Sequence, residues 1–130
     1  TGYPLPVTNS LAAEELRLLG AEQVQAWVEL DREGLYALLD ATPLPIEVYT
    51  YGRPFVLVTR AEIPAEGRIV DGRGKEFEIV KDAVSGLNYL FPPEVFRIAP
   101  PAGAAEFRDL RNIPSGKPDE SSFNFEVEFV

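Results

Sequence analysis

"IEVYTYGRPFVLVTR", Ile46 to Arg60, decides how this chain is read. Its first half alternates as a strand does, with Ile46, Val48 and Thr50 on one side and Glu47, Tyr49 and Tyr51 on the other. Gly52, Arg53 and Pro54 then interrupt the ladder. Proline has no amide hydrogen to donate, and glycine permits a sharp change of direction. A second apolar run, Phe55 to Val58, follows at once. The bend is therefore either a plain corner or a corner that presents Arg53 and its flanking tyrosine to a ligand.

Upstream, the same period logic places two further strands and two helices. Pro4 and Pro6 favour extended backbone around Leu5 to Thr8, and Asn9 or Ser10 is placed to cap a helix over about Leu11 to Leu19. Ala12, Leu16 and Leu19 form its apolar stripe, and Gly20 stands where a glycine stop is expected. Val24, Ala26, Val28 and Leu30 alternate with Gln25, Trp27 and Glu29, which predicts a strand. Asp31 caps a second helix with Leu35, Leu38 and Leu39 on its apolar face, ending before Pro43. Strand, helix, strand, helix, strand is the pattern of right-handed βαβ units in a parallel sheet.

Downstream, the pattern changes. "RIV-DGRG-KEFEIV" predicts a hairpin turning at Asp71 to Gly74, and "LNYLF" a further strand ending at Pro92-Pro93. "AAEFRDLRN" reads as a short helix, "IPSGKPDESS" as a polar loop, and "FNFEVEFV" as a half-buried strand with Phe123, Phe125, Val127 and Phe129 on one face. The expected fold is α/β to α+β in a single domain, residues 1–130. Partial TIM-barrel-like βα units occupy 1–60, and an accessory antiparallel hairpin with a C-terminal strand occupies 61–130.

Composition excludes several chemistries. The chain has no cysteine and no histidine, so it cannot supply a thiolate nucleophile, a Ser-His-Asp triad, a cysteine-held cluster or an ordinary zinc site. No cofactor and no metal are expected. A net charge of −9 opposes nucleic-acid binding through a general basic surface. Residues 1–50 carry 8 acids and 2 bases, whereas 51–100 carry 7 of each, so only the middle is relatively basic. No apolar run approaches the roughly 20 residues of a membrane span, and absent cysteine is compatible with a cytoplasmic origin, which is the expected location. There is no methionine, and the chain opens on Thr1-Gly2, so a piece of a longer protein is expected.

In α/β folds ligands gather at the carboxyl ends of strands. Asn9, Glu29 and Tyr51-Gly52-Arg53 each fall at such an end. Glu29 is the candidate general acid or base, Arg53 a fork for a carboxylate or phosphate, and Asn9 an orienting amide. Tyr51 and Arg60 complete the candidate substrate-binding set. Structural roles compete at each position: Asn9 as a helix cap, Glu29 as an ion-pair partner of Arg53, and Asp71 to Gly74 as a plain turn.

The ordered set of an Asn-Ser after a strand, a Leu-Gly helix end, a Glu-Leu pair closing the next strand, the Gly-Arg corner with its Pro-led strand, and the Asp-x-x-Gly turn resembles the bacterial collagenase-like protease family, peptidase family U thirty-two, over about Val7 to Asn88. The resemblance implies a later barrel half and C-terminal segment of a TIM-barrel protein. It implies a parent that is either a peptidase, hence a hydrolase, or a protein of RNA or quinone hydroxylation with a cysteine-bound iron-sulfur cluster. Where the family commonly has a histidine before the corner this chain has Tyr51, and where it has a cysteine after the Pro-led strand this chain has Thr59-Arg60-Ala61. The expectation is a C-terminal fragment that positions a peptide or small ligand without a complete catalytic set and has no activity in isolation. Its partners are then the remainder of the parent chain and further copies of itself. The competing expectation is a non-enzymatic interaction module that binds through exposed sheet edges and the Phe-rich tail.

Overall fold

The computed structural model describes residues 5–126. The chain is a mixed α/β protein of α+β class, and among the described residues it has two helices and two sheets, with no closed barrel. It divides into two compact units. One comprises Thr1–Gly52, Phe96–Asp109 and Ser122–Val130; the other comprises Arg53–Val95 and Leu110–Ser121.

The first unit opens with an extended segment whose Val7 forms a parallel bridge to Ala26. Helix α1 spans Ser10–Leu18 and is capped by Asn9, whose side-chain oxygen accepts the Ala12 N–H at 2.9 Å. Gly20, at φ +94°, ends it as expected, with its N–H donating to Arg17 C=O. The predicted apolar stripe is shifted: Ala13 is buried, Ala12 and Leu16 pack against the core, and Leu19 is exposed. Leu19 is the C-cap, so it has already left the helical period.

Strand β1 is only Val24–Gln25, shorter than the predicted run to Leu30. After Ala26 the backbone turns, and Leu30 N–H bonds to Trp27 C=O in place of a strand partner. Helix α2, Arg32–Ala41, is capped by Asp31, which accepts the Gly34 N–H at 2.7 Å, and it buries Leu35 and Leu38. Strand β2, Ile46–Gly52, pairs in parallel with β1 through Val24↔Ile46 and Gln25↔Glu47. The parallel order from Val7 through β1 to β2, with a helix in each connection, is thus present.

Two elements of this unit were not predicted. The segment expected as a helix contains strand β8, Ala105–Arg108, which lies parallel to β2 from Glu47↔Ala105 to Tyr51↔Arg108. The open edge of β2 outweighs the weak helical period of this short run, because unpaired backbone groups there need partners. Strand β7, Val95–Arg97, contributes Phe96 and Arg97 antiparallel to Gly52 and Tyr51. The core joins Val7, Val24, Leu38, Ile46, Val48, Tyr49 and Phe96, with Phe125 laid against it. Phe123 to Glu126 form a turn instead of the expected strand, with Phe123 at φ 48°. Val127 and Phe129 lie outside the described residues.

The second unit is an antiparallel four-stranded sheet in the order β3-β6-β5-β4. These strands are β3 (Leu57–Thr59), β4 (Arg68–Val70), β5 (Glu76–Asp82) and β6 (Leu87–Phe91). The predicted hairpin is present: β4 pairs with β5, and Asp71 Oδ1 accepts the Arg73 and Lys75 N–H groups at 2.8 and 3.0 Å. Phe55, Tyr89 and Phe91 form an aromatic cluster at centroid distances of 5.3 to 6.5 Å. Beside it, Val95 N–H bonds to Asp119 C=O just ahead of the short β9, Glu120–Ser121.

Candidate functional site

The bend at Gly52-Arg53-Pro54 is built by the residues around it. Gly52 sits at φ +152°, where a Cβ would meet the Asp109 carbonyl oxygen at 2.8 Å and the Tyr49 hydroxyl closer still. Only glycine fits this approach. Arg53, 8% exposed, begins the second unit as its most deeply anchored charge. Its Nε donates to Pro92 C=O at 2.7 Å, and its Nη1 donates to Glu78 Oε2 at 2.5 Å and to Asn112 C=O at 3.2 Å. Its guanidinium carbon lies 5.5 Å from the Phe91 ring centroid. Asn112 aims its carbonyl from a left-handed φ of 58°, which asparagine tolerates better than most residues.

This arrangement overturns the ion pair expected between Glu29 and Arg53. Arg53 takes Glu78, which β5 brings alongside, and no local sequence spacing announces a pairing 25 residues apart. Glu29 is exposed; its carboxylate accepts the Trp27 indole N–H at 3.2 Å, and its backbone carbonyl accepts from Asn124. A general acid or base needs partial desolvation, and Glu29 does not have it. Asn9 spends its side-chain oxygen on the α1 cap. Arg60 lies exposed just beyond β3, next to Thr59, whose hydroxyl accepts the Ala61 N–H. Asn9, Glu29 and Arg53 thus each serve a different local structure.

Arg53 lines the wall of an open groove of about 640 Å³ within the second unit. Arg68, Glu76, Phe77, Glu78 and Asn112 also line it. In register, Arg68 faces Glu78, and Val70 faces Glu76, so the groove floor presents both charge signs on one sheet face. Arg68 also reaches Glu76 at 3.3 Å. These charges are joined in two ion pairs, Arg53–Glu78 and Arg68–Glu76.

Tyr51, in the first unit, has neighbours that sequence reasoning did not find. It is the register partner of Arg97 on β7 and of Arg108 on β8, and the Arg108 guanidinium stands 5.0 Å from its ring centroid. Arg108 was hidden inside the expected helix. The only signal was the alternation "EFR" ending on a basic residue.

Comparison with protein-family models, with curated proteins and with solved structures finds no match for this chain. Among the described residues no group of acidic side chains is arranged to hold a metal ion, and no helix is long and apolar enough to cross a membrane.

Proposed function

We propose that this chain is the later-barrel and C-terminal portion of a protein of the collagenase-like peptidase type, holding a peptide or small ligand without performing the chemistry. The supporting observation is the parallel order Val7, β1, β2 with α1 and α2 in the connections, followed at once by the Gly52-Arg53 bend. In a TIM barrel that bend lies at the carboxyl face, where ligands gather. Missing barrel strands are supplied by the remainder of the parent chain in this reading. The second unit contributes the mixed-charge groove beside Arg53 as the ligand-positioning surface. With neither cysteine nor histidine, the chain contributes no nucleophile and base pair.

The test compares this chain alone with its parent. The chain alone should not cleave gelatin or casein, and metal analysis should find no stoichiometric zinc or iron. The parent sequence ahead of Thr1 should supply additional βα units. Chelator-sensitive proteolysis by the isolated chain, or a parent without such units, overturns the reading.

A second reading is a non-enzymatic interaction module. It is favoured by Val56, Leu57 and Val58, which are 47, 45 and 40% exposed in and beside the edge strand β3. Edge strands with unmasked apolar residues recruit further strands.

A further inference from the structure

The four-stranded sheet of the second unit ends in two unlike edges. β4 carries Arg68, whose side chain is 75% exposed, and a charge on an edge strand opposes further pairing. β3 and the residue before it, Val56 to Thr59, carry no charge. Val56 turns its N–H inward to the Leu90 carbonyl at 2.8 Å. Successive residues of a strand turn their backbone groups to opposite sides, so the Leu57 N–H and C=O point away from β6, toward the open edge. Leu57 also ends a cross-strand row, since Leu90 is the register partner of both Leu57 and Ile79, and register partners share a face. Burial falls step by step along that row: Ile79 is buried, Leu90 half-buried and Leu57 exposed.

We infer that β3 pairs antiparallel with β3 of a second copy of this chain, about a two-fold axis at Leu57. This names the partner in the interaction-module reading above and rests on that reading. Three registers bring the apolar run against itself. Centred on Val56, the pairing runs back into the Gly52-Arg53-Pro54 bend; centred on Val58, it sets Val56 opposite the charged Arg60. Centred on Leu57, it sets Leu57 opposite Leu57 and Val56 opposite Val58 of the second copy, with Arg60 beyond the apolar pairs. The two Leu57 residues then exchange their outward N–H and C=O groups at the axis. The Ile79, Leu90, Leu57 row continues into its own copy as six apolar residues on one face. Charge also favours this surface for a second copy. Residues 53–95 and 110–121 carry 9 acids and 8 bases, so nearly all of the −9 lies in the other unit, and repulsion between copies is least through this one. A two-fold pairing consumes the β3 edge of both copies, and Arg68 guards β4, so assembly stops at two.

The test joins sedimentation equilibrium of the whole chain to cysteine cross-linking. Sedimentation should give a concentration-dependent mixture of monomer and dimer with no larger species. Leu57→Lys should weaken the dimer by about tenfold or more, because the axis sets the two lysines directly opposite each other. The chain has no cysteine, so single-cysteine variants report the register. A mixture of Val56→Cys and Val58→Cys chains should form a mixed disulfide on mild oxidation, since the two positions oppose each other with Cα atoms about 4.5 Å apart. Within either variant alone the two cysteines stand about 8 Å apart, too far for a disulfide. Val84→Cys, 98% exposed on the turn after β5, measures random collision. A chain that is monomeric at every concentration, or that grows beyond dimers, overturns the inference. A dimer that Leu57→Lys leaves intact overturns the interaction reading with it, because β3 is then not the surface. A dimer that Leu57→Lys weakens, but that links fastest in Val56→Cys alone or Val58→Cys alone, keeps the reading and overturns the register.

Discussion

Arg53 donates to Glu78 at 2.5 Å, with the arginine side chain 7% exposed and the glutamate 46% exposed. The pair is lopsided, because the cation is desolvated and the anion keeps contact with water. Losing the arginine therefore strands the buried Pro92 carbonyl and takes a donor from the part-buried Asn112 carbonyl, while the Glu78 carboxylate falls back on water. Arg53→Ala should destabilise the chain by about 3 kcal/mol and Glu78→Gln by about 1 kcal/mol. Urea denaturation of the single and double variants checks this. Strictly additive losses would contradict the pairing, whereas Glu29→Gln should add to Arg53→Ala without coupling.

Gly52→Ala tests the bend itself. The new methyl group has to share space with the Tyr49 hydroxyl and the Asp109 carbonyl oxygen at a positive φ. The expected loss is about 3 kcal/mol, from backbone strain and overpacking together. A variant as stable as the parent would show that the strand end can shift without cost.

The two helix caps should be nearly equal in strength. Asn9→Ala removes one bond to Ala12 N–H, and Asp31→Ala one bond to Gly34 N–H. Each should cost about 1 kcal/mol, with Asn9→Asp close to neutral. If Asn9 served a ligand and not the helix, Asn9→Ala would keep its denaturation midpoint.

Asp71 should titrate below an ordinary aspartate. The Lys75 and Arg73 backbone N–H groups hold its carboxylate form, the former most strongly. A folded-state pKa below the unfolded one means that the turn's contribution is complete above about pH 3.9 and is lost as pH falls through the lower folded value. Carboxyl chemical shifts followed from pH 6 to pH 2 measure it. A midpoint at or above that of the ordinary side chain would remove the turn's electrostatic support, and Asp71→Asn should flatten the acid limb of the stability curve.

Self-association is the expected consequence of the β3 edge. Leu57→Lys puts a charge in the middle of the exposed Val56-Leu57-Val58 run and should shift light-scattering mass toward the monomer. A parent chain that is monomeric at every concentration, or an unchanged distribution in the variant, argues against this edge as a docking surface.

Local rules written in the sequence determined the helix caps at Asn9 and Asp31, the glycine stop at Gly20, the Asp71 to Gly74 turn and the existence of β2, whose expected alternation gives way to three consecutive buried residues, Val48 to Thr50, and a register shift before Tyr51. Each depends on residues within a few positions of one another, where side-chain chemistry and backbone geometry are linked directly. Tertiary structure alone decided that 105–108 becomes a strand, since the free edge of β2 sets that choice and no short-range period encodes it. It also decided the partner of Arg53 and the neighbours of Tyr51. Glu78, Pro92 and Asn112 lie 25, 39 and 59 residues from Arg53. A charge selects among such distant partners by burial and by which strand passes beside it, and those are properties of the folded sheet and not of the spacing along the chain.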